Sequence, residues 1–71
     1  MLTNGQRVRT VNKLRIIEIP NAVNRRPNRQ GTIVKIKIGN PFFGYDSYDV
    51  QHDDGIIATY FPSELIHDIA Q

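Results

Sequence analysis

The chain has 71 residues and contains neither cysteine nor tryptophan. Without cysteine it has no disulfide, no zinc–thiolate centre and no thiol nucleophile. That composition suits a reducing compartment, and a soluble, cytoplasmic protein is expected. Apolar runs such as Phe42-Phe43 and Ile56-Ile57-Ala58 are only a few residues long. None approaches the ~20 apolar residues of a membrane-spanning helix. The N-terminus shows no basic-then-apolar signal pattern. The only serines are Ser47 and Ser63, and no glycine-rich phosphate loop runs from a strand into a helix. A domain this small also offers little room for a water-excluding pocket. No enzymatic activity and no cofactor are expected. His52-Asp53-Asp54 and His67-Asp68 pair imidazoles with carboxylates, but their spacing matches no metal-ligand pattern. No metal is expected, and both histidines read as solvated strand ends.

Basic residues are missing from the second half of the chain. All nine lie at or before Lys37, and residues 1–39 hold a single acid, Glu18. Residues 40–71 hold six acids and no base. The formal net charge of +2 therefore conceals halves of +8 and −6. Such a chain can offer a basic surface to an anionic partner, or close its two halves on each other.

Alanine and leucine are scarce, whereas Ile, Val, Thr, Tyr and Phe abound, which favours strands. A first strand follows Asn4-Gly5, with Val8 inward and Arg7 and Arg9 on the opposite face. Leu14 to Ile19 extends this arm, and Pro20 ends it. Residues 20–30 hold two prolines, three asparagines and three arginines, so they form a long, exposed basic loop. Gly31 opens the most regular strand, Thr32 to Ile38. Its alternation places Val34, Ile36 and Ile38 on one face and Ile33, Lys35 and Lys37 on the other. Phe42 and Phe43 lie in an aromatic loop. The next strand, Tyr45 to His52, turns Tyr48 and Val50 inward. Asp53-Asp54-Gly55 is a tight hairpin signal, and Ile56 to Phe61 is the return strand. Pro62-Ser63-Glu64-Leu65 reads as one short helical turn before a last strand from Ile66 to Ile69. The expected fold is a single all-β domain, residues 1–71, with five short strands closed into a small barrel and one 3-10 turn before the last strand.

Four blocks carry a family resemblance: Gly5-Gln6-Arg7-Val8-Arg9, Arg29-Gln30-Gly31-Thr32-Ile33-Val34-Lys35-Ile36, Tyr48-Asp49-Val50-Gln51-His52-Asp53-Asp54-Gly55, and Phe61-Pro62-Ser63-Glu64-Leu65-Ile66. Together they resemble the SH3-like small β-barrels of the KOW, Tudor and Agenet type. The resemblance implies an opening strand, a strand after a long loop, a hairpin between the third and fourth strands, and a helical turn before the fifth. Each block is a fold signature rather than an activity signature. A proline-peptide site is not implied, because the long loop is basic and tryptophan is absent.

The expected site gathers Arg25, Arg26 and Arg29 of the loop with Arg7, Arg9, Lys35 and Lys37 of two neighbouring strands. Phe42, Phe43 and Tyr45 are candidate stacking or contact groups. Lys and Arg meet phosphates, and an adjoining aromatic stacks on a base. The function this suggests is a KOW-like module binding RNA or DNA. If about five of these charges met phosphates, log K would fall with log salt at a slope of roughly −4 to −5 on duplex DNA. The alternative is a protein-interaction module: an accessory or docking subunit, or a small regulator or inhibitor of a larger complex, meeting an acidic protein surface. Weak self-association of basic half with acidic half is a third possibility, and no membrane partner is expected. Against all three stands internal pairing of the bases with Asp46, Asp49, Asp53, Asp54 and Asp68, cross-strand contacts that help fix register.

Overall fold

The computed structural model describes residues 2–16, 22–40 and 45–68, except for the side chains of Asn40 and Tyr45. Five antiparallel strands form one sheet: β1 (Arg7–Thr10), β2 (Gln30–Asn40), β3 (Tyr45–His52), β4 (Ile57–Tyr60) and β5 (Leu65–His67), in the order β4-β3-β2-β1-β5. A 3-10 turn at Pro62–Glu64 precedes β5, as the Pro-Ser-Glu signal implies. A second one, Ala22–Asn24, lies inside the long basic loop, where the sequence suggests only irregular chain. Leu14 to Ile16 is not a strand, and the rest of that expected arm lies outside the described residues.

The core comes from every strand: Val8, Ile33, Tyr48, Val50, Ala58, Tyr60 and Leu65 form one buried cluster. Full burial of side chains such as Val8, Ile33 and Val50 contributes about 1.5–3 kcal/mol each. No α-helix covers this face among the described residues. The expected closure into a barrel is not present as a continuous ladder. Strands β4 and β5 remain edges, with no pairing between them among the described residues.

The apolar faces of β2 differ from the simple alternation. Ile33, assigned to the lysine face, is only 1% exposed, whereas Val34 is 45% and Ile38 75% exposed. The cause is a β-bulge. Ile33 pairs with Val50 and Ile36 with Tyr48, both on the inward face, and Val34 is the extra residue that the three-residue spacing requires. A second irregularity lies between Lys37 and Asn40, where Gly39 has φ +60°. Gly31 is demanded by close approach. A Cβ there would lie 2.5 Å from Val50 Cγ1 and 2.8 Å from the Gln51 carbonyl oxygen.

The long loop is tied down by a buried ion pair that sequence reasoning does not anticipate. Arg25, expected at the surface, has a side chain only 5% exposed, and it pairs with Glu64, whose side chain is 4% exposed. The Glu64 carboxylate also accepts the Arg15 N–H (2.9 Å) and the Phe61 N–H (2.9 Å). Arg25 donates to the carbonyls of Thr59 (2.7 Å) and Arg15 (3.2 Å) and stacks over the Tyr60 ring at 5.2 Å. Asn24 donates to the Ile57 carbonyl (3.3 Å). Asn24 and Arg25 thus occupy the open edge of β4, where unpaired carbonyls would otherwise invite another strand.

Candidate functional site

A turn at the end of the long loop builds the candidate site. Pro27 is followed by Asn28 in the left-handed region at φ +54°, the order that type II turns use and that asparagine tolerates. Arg26 and Arg29 flank it. Buried Thr10, the last residue of β1, clamps both ends of this turn. Its hydroxyl donates to the Arg26 carbonyl (2.6 Å) and accepts the Arg29 N–H (2.9 Å). The Thr10 N–H donates to the Arg29 carbonyl (2.9 Å), and the Asn28 N–H to the Val11 carbonyl (3.0 Å). The two arginine side chains therefore project from fixed backbone.

A polar relay anchors the same turn to the core. The Arg26 N–H donates to Tyr60 Oη (2.9 Å), and Tyr60 Oη lies 2.6 Å from His52 Nε2. His52 Nδ1 lies 3.0 Å from the Gln30 carbonyl, which can only accept. In the neutral ring Nδ1 therefore carries the proton, and Nε2 accepts from the tyrosine hydroxyl. Burial pushes the Tyr60 phenol above its ordinary value of 10.0. His52 is buried, which corrects its reading as a solvated strand end, whereas His67 is exposed. The alternation that turns Tyr48 and Val50 inward carries the signal, since His52 shares their parity.

Between this turn and the β3–β4 hairpin lies a cleft of about 430 Å³. Arg9, Arg26 and Arg29 converge on it beside Asn28 and Gln30, and Asp53 and Asp54 form the facing wall. Arg9 and Arg29 are exposed and have no ion pair among the described residues. Arg9 reaches only Asn28 Oδ1, at 3.5 Å. Arg26 Nη1 is 3.5 Å from Asp54 Oδ2, and its Nε is buried without a hydrogen-bond partner among the described residues. Arg7, beside Arg9 on the outer face of β1, forms a two-pronged pair with Asp53 (2.8 and 3.1 Å). That contact raises the Arg7 pKa and holds the Asp53 carboxyl below its ordinary 3.8.

The single stripe expected from the sequence resolves into separate groups. Arg25 is buried in its pair with Glu64. Lys35 and Lys37 do not line the cleft. Along β2, β1 meets only the first residues, from Arg7 opposite Thr32 to Arg9 opposite Gln30, and the lysines lie beyond that stretch, opposite Asp49 and Ser47 of β3. Phe42 and Phe43 lie outside the described residues. Tyr45 pairs with Asn40 through the backbone, and its side chain lies outside the description. Internal pairing of the charged halves is thus present in part: Arg7 with Asp53, Arg25 with Glu64 and Arg26 with Asp54. Among the described residues no group of three or more His, Asp or Glu side chains is arranged to hold a metal ion. No described helix is long and apolar enough to cross a membrane. Comparison of the chain with protein-family models, curated proteins and solved structures finds no match.

Proposed function

We propose that the protein is a non-catalytic, KOW-like binding module that takes the phosphate backbone of a single-stranded nucleic acid in the cleft of Arg9, Arg26 and Arg29. One observation carries this reading. Two guanidiniums with no ion pair among the described residues, Arg9 and Arg29, converge beside the turn with the amide of Asn28 next to them, while the Gln30 amide donates to Asp68. Guanidiniums suit phosphate oxygens in a two-pronged geometry, and amide side chains suit base edges. The set is smaller than the seven bases marked in the sequence. With Arg9 and Arg29 as the phosphate contacts, the slope of log K against log salt on a single strand is about −1.4. Mobility shifts of a labelled single-stranded oligonucleotide test the site. Arg9→Glu with Arg29→Glu abolishes the shift; a shift that survives both reversals rules the cleft out.

A second reading, docking to a protein as an accessory subunit or regulator, is favoured by the exposed Ile16 and Val23. With Leu14, Ala22 and Pro27 they line an open groove of about 460 Å³, separate from the cleft. A partner captured by the wild type and lost from Ile16→Ser with Val23→Ser supports it. Unchanged capture places the contact elsewhere.

A further inference from the structure

The hairpin tip facing the cleft is acidic, and both of its carboxylates are spent on arginines. Asp53 meets Arg7 with two oxygens against two guanidinium nitrogens, at 2.8 and 3.1 Å, the fork that a phosphate would also use. Asp54 faces Arg26 more loosely, at 3.5 Å, while its other oxygen accepts the Ile56 N–H (3.1 Å). Gly55, at φ +90°, completes the turn that carries both acids. Four arginines therefore stand around the hairpin and the cleft, two paired with the hairpin acids and two, Arg9 and Arg29, without an ion pair among the described residues.

We propose that Asp53 and Asp54 are specificity-determining residues that occupy Arg7 and Arg26 as an internal stand-in for phosphate and so limit the contacts open to a polyanion. This inference rests on the nucleic-acid reading above. Phosphate reaches Arg9 and Arg29 directly. It reaches Arg7 or Arg26 only by displacing a carboxylate, so each such contact exchanges one anion for another. The device weakens binding to any chain of phosphates and leaves selection to ligands that also satisfy Asn28 and the acidic wall. It also gives the segregated charges a role: the acidic half meets the basic half at the site itself.

The test measures binding of a short single-stranded oligonucleotide by fluorescence anisotropy across a salt series. The proteins are wild type, Asp53→Asn, Asp54→Asn and, as a control of equal charge change, Asp46→Asn. Asp46 accepts the Gly39 N–H (3.0 Å) and is not part of the cleft wall. Asparagine keeps the oxygen that Ile56 needs, and unchanged amide spectra establish that each variant is folded. Freeing one arginine adds about one phosphate contact, so the slope of log K against log salt steepens by about 0.7 in Asp53→Asn and in Asp54→Asn, and not in Asp46→Asn. Binding by the two hairpin variants where the wild type shows none also supports the device. Equal tightening in all three variants at one common slope reveals a general charge effect and overturns it. Wild-type binding that neither hairpin variant alters overturns the device while leaving the nucleic-acid reading intact. Absence of binding by every protein removes both.

Discussion

Replacing Glu64 by glutamine is expected to remove most of the stability of this protein. The Glu64 carboxylate, 4% exposed, holds Arg25 and accepts two backbone N–H groups, those of Arg15 and Phe61. Glutamine offers one acceptor oxygen in place of two, and its amide N–H groups face donors. The guanidinium of Arg25, 5% exposed, is then left as an uncompensated buried charge. Breaking a buried pair from one side costs about 3–5 kcal/mol. Domains of this size rarely hold more than about 3–5 kcal/mol in total. The loss therefore matches the whole, and Glu64→Gln is largely unfolded at room temperature. Urea unfolding followed by far-UV circular dichroism and tyrosine fluorescence measures it. The double variant Arg25→Met, Glu64→Gln removes the orphaned charge, and it should be destabilised by less than the sum of the single changes, with a coupling of about 1–3 kcal/mol. A Glu64→Gln unfolding free energy within about 0.5 kcal/mol of wild type, the range of an ordinary surface change, would refute the buried pair and the anchoring of the loop.

Other outcomes follow from the same contacts. Gly31→Ala drives a Cβ to 2.5 Å from Val50 Cγ1, an overpacking that costs about 1–3 kcal/mol; an unchanged urea midpoint would mean that β2 and β3 are not so close. Asn28→Val places a branched residue at φ +54° and should cost about 1–2 kcal/mol, whereas Asn28→Gly should be near neutral in the same assay; equal losses would contradict the left-handed turn. The Tyr60 phenol is raised above 10.0 by burial, so the folded state holds its proton more tightly than the unfolded one. Its contribution is complete below about pH 10, where the unfolded chain keeps the proton too, and declines as pH rises from there to the higher folded value. Unfolding midpoints from about pH 9 to about pH 11 should fall, and a flat profile would contradict the burial of Tyr60.

Much of the architecture is legible in local signals. Tyr45–His52 is β3, with Tyr48 and Val50 inward as their alternation with Asp49 and Gln51 implies, Asp53-Asp54-Gly55 turns it back, and Pro62–Glu64 is the 3-10 turn, because proline suits its start and the Glu64 side chain reaches back to the Phe61 N–H. The inward face of β2 is less legible. Alternation assumes an unbroken strand, and the bulge at Val34 shifts the phase between Ile33 and Ile36. The site is legible as composition rather than as placement. Three arginines in a loop look alike in sequence, yet the chain reverses around Pro27-Asn28, so Arg26 and Arg29 face the cleft while Arg25 turns under β4 to meet Glu64, 39 residues away. No local pattern encodes that pairing. Thr10 is similar: its value lies in two hydrogen bonds to residues 26 and 29, distant in sequence.

The central claim is that the cleft of Arg9, Arg26 and Arg29 binds a phosphate backbone. Titration of isotope-labelled protein with a short single-stranded oligonucleotide, read by amide NMR at low and moderate salt, tests it most directly. Shifts concentrated at Arg9, residues 26–30 and residues 52–54, weakening as salt rises, are the expected result. Shifts confined to other faces, or none at low salt, would contradict it.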